Sequence, residues 1–533
     1  MTSAATGRDS LVTTPPPRLR GGGRPPSPPP LLWVIAAAVL LPALVPVGGL
    51  LVRVAGSASD AIDVALSGRT FRLALNTGVL ITLVTAAGAT LGIGAAWLTE
   101  RTDLPGRRVW RVLAALPLVI PSYVIALTLI SAFGPRGLLS DATGLTLPSL
   151  QGLPGAWLAL TISTYPYVYL AAAATLRRLD PALEEAARGL GAPPRRVFRT
   201  IVLPQLRPAA AAGMLLVALY TLSDFGAVSL MRFDAFTRVV YAQYAGRVDR
   251  TPAAVLAVLL IGIALVVLLA ERRTRGRAAY HTNRPSRPAA PMPLTRTGRT
   301  WGTIGLGALA LISLALPLGT LVTWVVRGPR PAVEWGALSG SLSAASLAAV
   351  AAVAAAIPTA VLVTRHRSGL TSLVEHTSYA MFALPHITVG LGMVFFASRY
   401  LGGLYQSLPL LVGVYASIFF AQALGPARAS LLQVGPHLEE ASRSLGSGPL
   451  RTMLRVTAPL ISRGVAVGAV LVFLTTMKEL PVTLLLRPTG FDTLAVDIWS
   501  AADDLRYASA AVPALLLVTV SAIPMYLLAT RDR

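Results

Sequence analysis

Asp224, Lys478 and Glu479 are charged residues set inside otherwise apolar stretches, LYTLSDFGAVSL (219 to 230) and FLTTMKELPVTLLL (473 to 486). Carboxylate oxygens suit hard cations, and a charge within a membrane span is costly enough that it ordinarily faces a cavity or a partner. Two acids brought to one axis could therefore receive a cation; the alternative is a structural ion pair with Lys478 or Arg232. TYPYVY (164 to 169) places the phenols Tyr165, Tyr167 and Tyr169 close in sequence, as further oxygen donors or as an interfacial aromatic belt or packing residues. His386, in ALPHITVG, is either a ligand or a helix-packing histidine.

Other chemistry is excluded by residue type. With no cysteine, disulfides, thiolate metal sites and Cys nucleophiles are ruled out. Five scattered histidines form no catalytic set, so no enzymatic activity and no permanently bound metal are expected. Lys478 is the sole lysine and follows Met477, so a GxxxxGK phosphate loop cannot exist.

The elements that must position these residues are membrane helices. A chain with 54% hydrophobic and 13% charged residues and a mean hydropathy of +0.65 carries too little polar surface to enclose 533 residues as a soluble globule. Runs such as LLWVIAAAVLLPALVPVGGLLV (31 to 52) have the length that crosses hydrocarbon as a helix, and the alternation of a membrane β-barrel is absent. Twelve spans are expected, near 31–52, 73–98, 112–133, 153–176, 208–230, 252–270, 301–326, 340–363, 376–398, 408–426, 464–486 and 508–530. Residues 1–30 are Pro/Gly-rich and read as a disordered cytoplasmic tail without a cleavable signal. With the N-terminus inside, the inner loops hold 32 of the 46 basic residues, which places both termini in the cytoplasm and removes any need for nucleic acid to explain the +23 charge.

The chain also repeats itself. EEAARGLGAPPRRVFRTIVLPQ (184 to 205) returns 255 residues later as EEASRSLGSGPLRTMLRVTAPL (439 to 460), and eleven of 28 positions from Asp180 to Arg207 are identical. The halves, 31–270 and 301–533, therefore share one orientation, with 271–300 as the cytoplasmic linker. Within the repeated segment Asp180 can cap a helix that has Pro181 in its first turn and Gly191 at its end, and a second short helix is expected from Arg195 to Ile201, ahead of Pro204. Leu183, Ala187 and Leu190 form an apolar stripe, and Glu184 with Arg188 makes an i,i+4 pair. A structured loop kept twice suggests a docking surface; a helix lying on the membrane surface is the alternative.

The pattern E-A-A, three residues, G, nine residues, I-x-L-P resembles the coupling-loop motif of importer-type ABC permeases. Glu185, Ala186, Ala187, Gly191, Ile201, Leu203 and Pro204 match it, beside Glu184. The second copy keeps Glu440, Ala441, Gly446 and Pro459, beside Glu439, and departs at Ser442, Val456 and Ala458. The stretches 222–244 and 475–500 are similar to fused permeases of ferric-iron importers. The resemblance implies an all-α polytopic permease of two six-span halves in a bacterial cell membrane. Its loops at 178–207 and 433–462 would each seat one of two cytoplasmic ABC ATPase subunits, which bind ATP and Mg, while an extracytoplasmic binding protein delivers Fe(III). Thiamine, sulfate and phosphonate importers share the architecture, and an ion-driven secondary carrier is the rival from another class.

Overall fold

A computed structural model describes residues 28–531 apart from 136, 181, 247–248, 275–290, 329–333, 367 and 436. Most of the N-terminal tail, the middle of the linker and Pro181 thus lie outside the described residues. The rest is helical, and seven helices are long and apolar enough to cross a membrane, or eleven if each bent pair counts as one span. The helix Gly152–Arg178, too polar to pass that test, occupies the remaining expected position and is buried along much of its length. Outer faces carry side chains that water would not tolerate in bulk, such as Phe71 at 71% and Val350 at 68% exposure.

Four of the expected spans are bent. Arg107–Val119 meets Ser122–Ala132 at 96°, and Gly369–Ala383 meets His386–Tyr400 at 103°; Pro121 and Pro385 stand at these breaks, where a missing N–H and a fixed φ forbid a continuous helix. Two spans, the second of them one of these four, end sooner than their hydropathy suggests. Leu203–Ser223 stops at Asp224 and Ser462–Met477 stops at Lys478, each followed by a short helix, Gly226–Leu230 or Pro481–Leu486. A carboxylate can bind the free N–H groups of a new helix start, so each acid reads as punctuation as well as charge.

One core serves both halves. The first helix, Pro30–Ala55, packs on the second-half helices Trp335–Arg365, His386–Tyr400 and Leu408–Ile418. In return Leu316–Arg327 packs on the first-half Ser122–Ala132. Each half therefore lends its opening helix to the other. Within a half, small residues allow close crossings: a Cβ on Gly213 would meet the Val168 Cα at 2.8 Å, and one on Gly468 would meet the Ala423 Cα at 3.0 Å. Val168 and Ala423 are related by the same 255-residue offset, so the duplication extends to this contact.

Candidate functional site

The bends at Pro121 and Pro385 and the helix stops at Asp224 and Lys478 converge on one cavity of about 190 Å³ between the halves. Its wall is built from equivalent positions, Asp224 and Glu479, Tyr167 and Gln422, Tyr220 and Thr475. Asp224 Oδ1 accepts from the backbone N–H of Ala227 at 2.9 Å and of Val228 at 3.4 Å, while Oδ2 accepts from the Ser122 hydroxyl. Glu479 repeats the plan: Oε1 accepts from the Val482 N–H at 3.2 Å, and Oε2 lies 2.8 Å from His386 Nδ1. Ser122 and His386 occupy the same place, one residue after the proline of each bent pair. Both acids thus hold a helix start on one side and the break of another helix on the other.

The halves are also tied across the cavity. Lys478 Nζ donates to the Leu118 carbonyl at 3.1 Å, and the His386 N–H donates to the Ser223 hydroxyl at 3.3 Å. Among the described residues, neither Lys478 nor Arg232 forms the ion pair with these carboxylates that the sequence offered as an alternative; the acceptor of Lys478 is a backbone oxygen beside the bend at Ile120 and Pro121. Among the described residues no group of three or more His, Cys, Asp or Glu could hold a metal ion.

The repeated loops are the second site. Ala182–Gly189 begins beside Asp180, whose Oδ1 accepts from the Ala182 N–H at 2.9 Å. It ends at Gly191 with φ +80°, and the second copy, His437–Ser444, ends at Gly446 with φ +82°. The closing hydrogen bonds are the same: Ala192 N–H to the Ala187 carbonyl at 3.0 Å, and Ser447 N–H to the Ser442 carbonyl at 3.1 Å. Glu184 turns inward, where it pairs with Arg101 and, at 3.2 Å, with Arg188. Glu439 likewise pairs with Arg365 at 3.2 Å and Arg443 at 3.8 Å. Glu185 and Glu440 face outward, as do Leu183, Leu190, Leu438 and Leu445, of which Leu190 is 90% and Leu445 87% exposed.

Residues 88–273 and 350–531 each match the family described as the binding-protein-dependent transport system inner membrane component. The chain belongs to that family, twice over. It is also 31% identical to the Fe(3+)-transport system permease protein FbpB 2 of Haemophilus influenzae over 92% of this chain and 96% of that one. A probable molybdenum ABC transporter permease of Haloferax volcanii is 32% identical over 43% of this chain and 84% of its own. The sulfate permease CysW of Synechocystis is 26% identical over 44% and 90%. The molecule is therefore a two-half ABC permease, a multi-pass inner-membrane subunit rather than an enzyme.

Within this permease the residues singled out from sequence separate. Tyr167 lines the cavity, whereas Tyr165 and Tyr169, two positions away along a helix and so on another face, are buried in a second apolar cluster. The short helix expected to stop before Pro204 does not stop: Pro194–Val197 runs through a wide turn, Phe198–Val202, into Leu203–Ser223, with Pro204 in its first turn where no N–H is needed. Ile201, Leu203 and Pro204 are half-buried at this junction, and in the second copy Pro459 is exposed. Arg101, Arg365, Ser122 and the Leu118 carbonyl were not evident from sequence. Arg101 and Arg365 follow apolar runs as ordinary flanking charges, and a backbone acceptor leaves no sequence signal.

Proposed function

We propose that this permease forms the translocation path of an ATP-driven importer of ferric iron, with the cavity between the halves as the path and the two outward-facing loops as the ATPase seats. The observation that carries the reading is the loop pair: two copies, each anchored inward by one buried glutamate and presenting the same exposed Leu, Glu and Ala surface. Nothing among the described residues covers Leu190 or Leu445, and a surface needed twice fits a partner present in two copies. Glu185, Ala186 and Ala187 with Gly191, and Glu440 and Ala441 with Gly446, are the contact residues in this reading. Ile201, Leu203, Pro204 and Pro459 carry the motion into the following helices. ATP and Mg sit on the ATPases, cargo arrives from an extracytoplasmic binding protein, and both termini are cytoplasmic.

Iron is the favoured cargo because a relative that is 31% identical over nearly the whole chain is named for it. The molybdenum and sulfate permeases match less than half, which makes an oxyanion the second reading. In vesicles holding the assembled importer, uptake of labelled ferric iron is expected to require ATP and to persist with an uncoupler. The Glu185→Ala, Glu440→Ala pair is expected to abolish uptake and ATPase retention while the permease still inserts. Normal uptake in that variant would remove the loop assignment, and transport of molybdate or sulfate without iron would replace the cargo.

A further inference from the structure

The cavity has two kinds of charge, and they differ in how much hydrogen-bonding capacity is left for cargo. Every carboxylate oxygen there is already engaged: Asp224 through Ser122, Ala227 and Val228, and Glu479 through His386 and Val482. A bare trivalent cation wants about six oxygen ligands in its shell. Each of these four oxygens keeps at most one lone pair for a metal, and no cluster of three metal-ligating side chains among the described residues would complete the shell. Lys478 is different. Its ammonium has three protons to give and one recorded acceptor, the Leu118 carbonyl at 3.1 Å, with no carboxylate within ion-pair distance among the described residues. Tyr123 also lines this cavity and is buried, its hydroxyl without a hydrogen-bond partner among the described residues. Two unspent donors, one of them a cation, are a poor lining for a naked metal ion and a suitable one for negatively charged oxygen.

We propose that Lys478 is an anion-recognition residue and that cargo passes the cavity as a ferric ion still bound to an oxygen-donor anion, a phosphate or a carboxylate chelate, which completes the metal's coordination. The iron remains Fe(III) throughout, and no bond to a protein atom is needed. Lys478 and Tyr123 would hold the anion, while the capped Asp224 and Glu479 keep the two helix breaks in place. The inference rests on the importer reading above, yet the charge it assigns is separable from the metal.

The test uses the complete importer in vesicles, with ferric iron loaded on the binding protein beside 32P-phosphate or 14C-citrate. One of the two anion labels is expected to enter with the iron in a fixed ratio; iron entering with neither label overturns the proposal. Lys478→Gln is expected to cut uptake at least tenfold per assembled complex, and Lys478→Arg to keep it within about threefold. Wild-type uptake in Lys478→Gln overturns the proposal, as does an equal loss in both variants, which would make Lys478 only a tie between the halves. An importer that moves molybdate or sulfate but no iron, and loses that transport in Lys478→Gln but not in Lys478→Arg, would support the anion site while removing the iron reading.

Discussion

The two loop segments share a sequence and a latch, but not a support. In the first half the chain runs from the loop as one helical span, Phe198–Ser223, and in the second it bends by 78° at Ile461 between Leu450–Leu460 and Ser462–Met477. The first latch lies deeper: Arg101 is 5% exposed where Arg365 is 18%. It is also braced. Glu100, 1% exposed, binds Arg111 at 2.8 Å and Arg177 at 3.1 Å, whereas the residue before the second latch arginine is Thr364, whose hydroxyl has no partner among the described residues. The second half compensates with one tie, Arg428 to Glu375 at 3.0 Å, and with the Thr457 hydroxyl on Glu439 at 3.3 Å. Duplication has preserved the surface shown outward while the mounting behind it diverged. The first loop is the stiffer lever, and the second has a hinge.

The largest effect should come from emptying a latch. Glu184→Ala leaves Arg101 buried without its partner, which costs about 3–5 kcal/mol for an interior pair. Glu439→Ala should cost less, because Arg365 reaches more solvent and keeps the Val434 carbonyl at 2.9 Å. Thermal unfolding of the two variants in detergent, with ATPase co-purification, measures the difference. Equal or reversed losses would mean that the depth of the first latch has no mechanical meaning.

A smaller effect, and an equal one, is expected at the turn glycines. Gly191 and Gly446 hold nearly the same left-handed φ, and a Cβ on either would touch nothing within 4 Å, so the cost of a side chain is backbone strain alone. Valine at either position should destabilise its loop by about 1–2 kcal/mol, and asparagine by less. Transport-coupled ATP hydrolysis should fall alike in the two valine variants. If Gly446→Val is silent, the hinged loop is not gripped as the first one is.

How far the sequence carried this comparison depends on the kind of contact. The duplication, the turn glycines, the Asp180 cap and the Glu184–Arg188 pair rest on local spacing and were readable as such. Which of two adjacent glutamates faces inward was not, because the choice is made by Arg101, 83 residues away. Breaks at Pro121 and Pro385 had a visible cause, whereas that at Phe419 falls in an apolar run and that at Ile461 in a mixed, basic stretch, neither with a proline at the break itself. The pairing of Asp224 and Glu479 across one cavity followed from the repeat, but their spent oxygens did not: backbone N–H donors and the Leu118 carbonyl exist only once the helices have bent.

The smallest effect concerns a strap that, among the described residues, only the first half possesses. Thr102 and Met292 form an isolated parallel bridge, with Met292 N–H donating to the Arg101 carbonyl at 2.8 Å and Asp103 N–H to the Met292 carbonyl at 3.1 Å. Asp103 then accepts from the Leu294 N–H at 2.9 Å and from Arg299, so the segment entering the second half is fastened beside the residue that holds Glu184. The Arg299 side chain, first, and the Leu294 N–H hold the Asp103 carboxyl below its ordinary value of 3.8. A carboxyl depressed in the folded state stabilises it fully above the unfolded pKa, and loses that contribution as pH falls through the folded one. At neutral pH the strap is therefore complete, and it should loosen only below about pH 4. Asp103→Asn should reproduce the loosened state at neutral pH, with little change in overall unfolding because the pair is solvent-exposed. Hydrogen exchange should quicken in a peptide covering 291–299 and stay unchanged in one covering 437–446. If exchange around Ala182–Gly189 also quickens, the strap steadies the first loop through Arg101; if it does not, the stiffness of that lever resides in the buried Glu100 and Glu184 pairs alone.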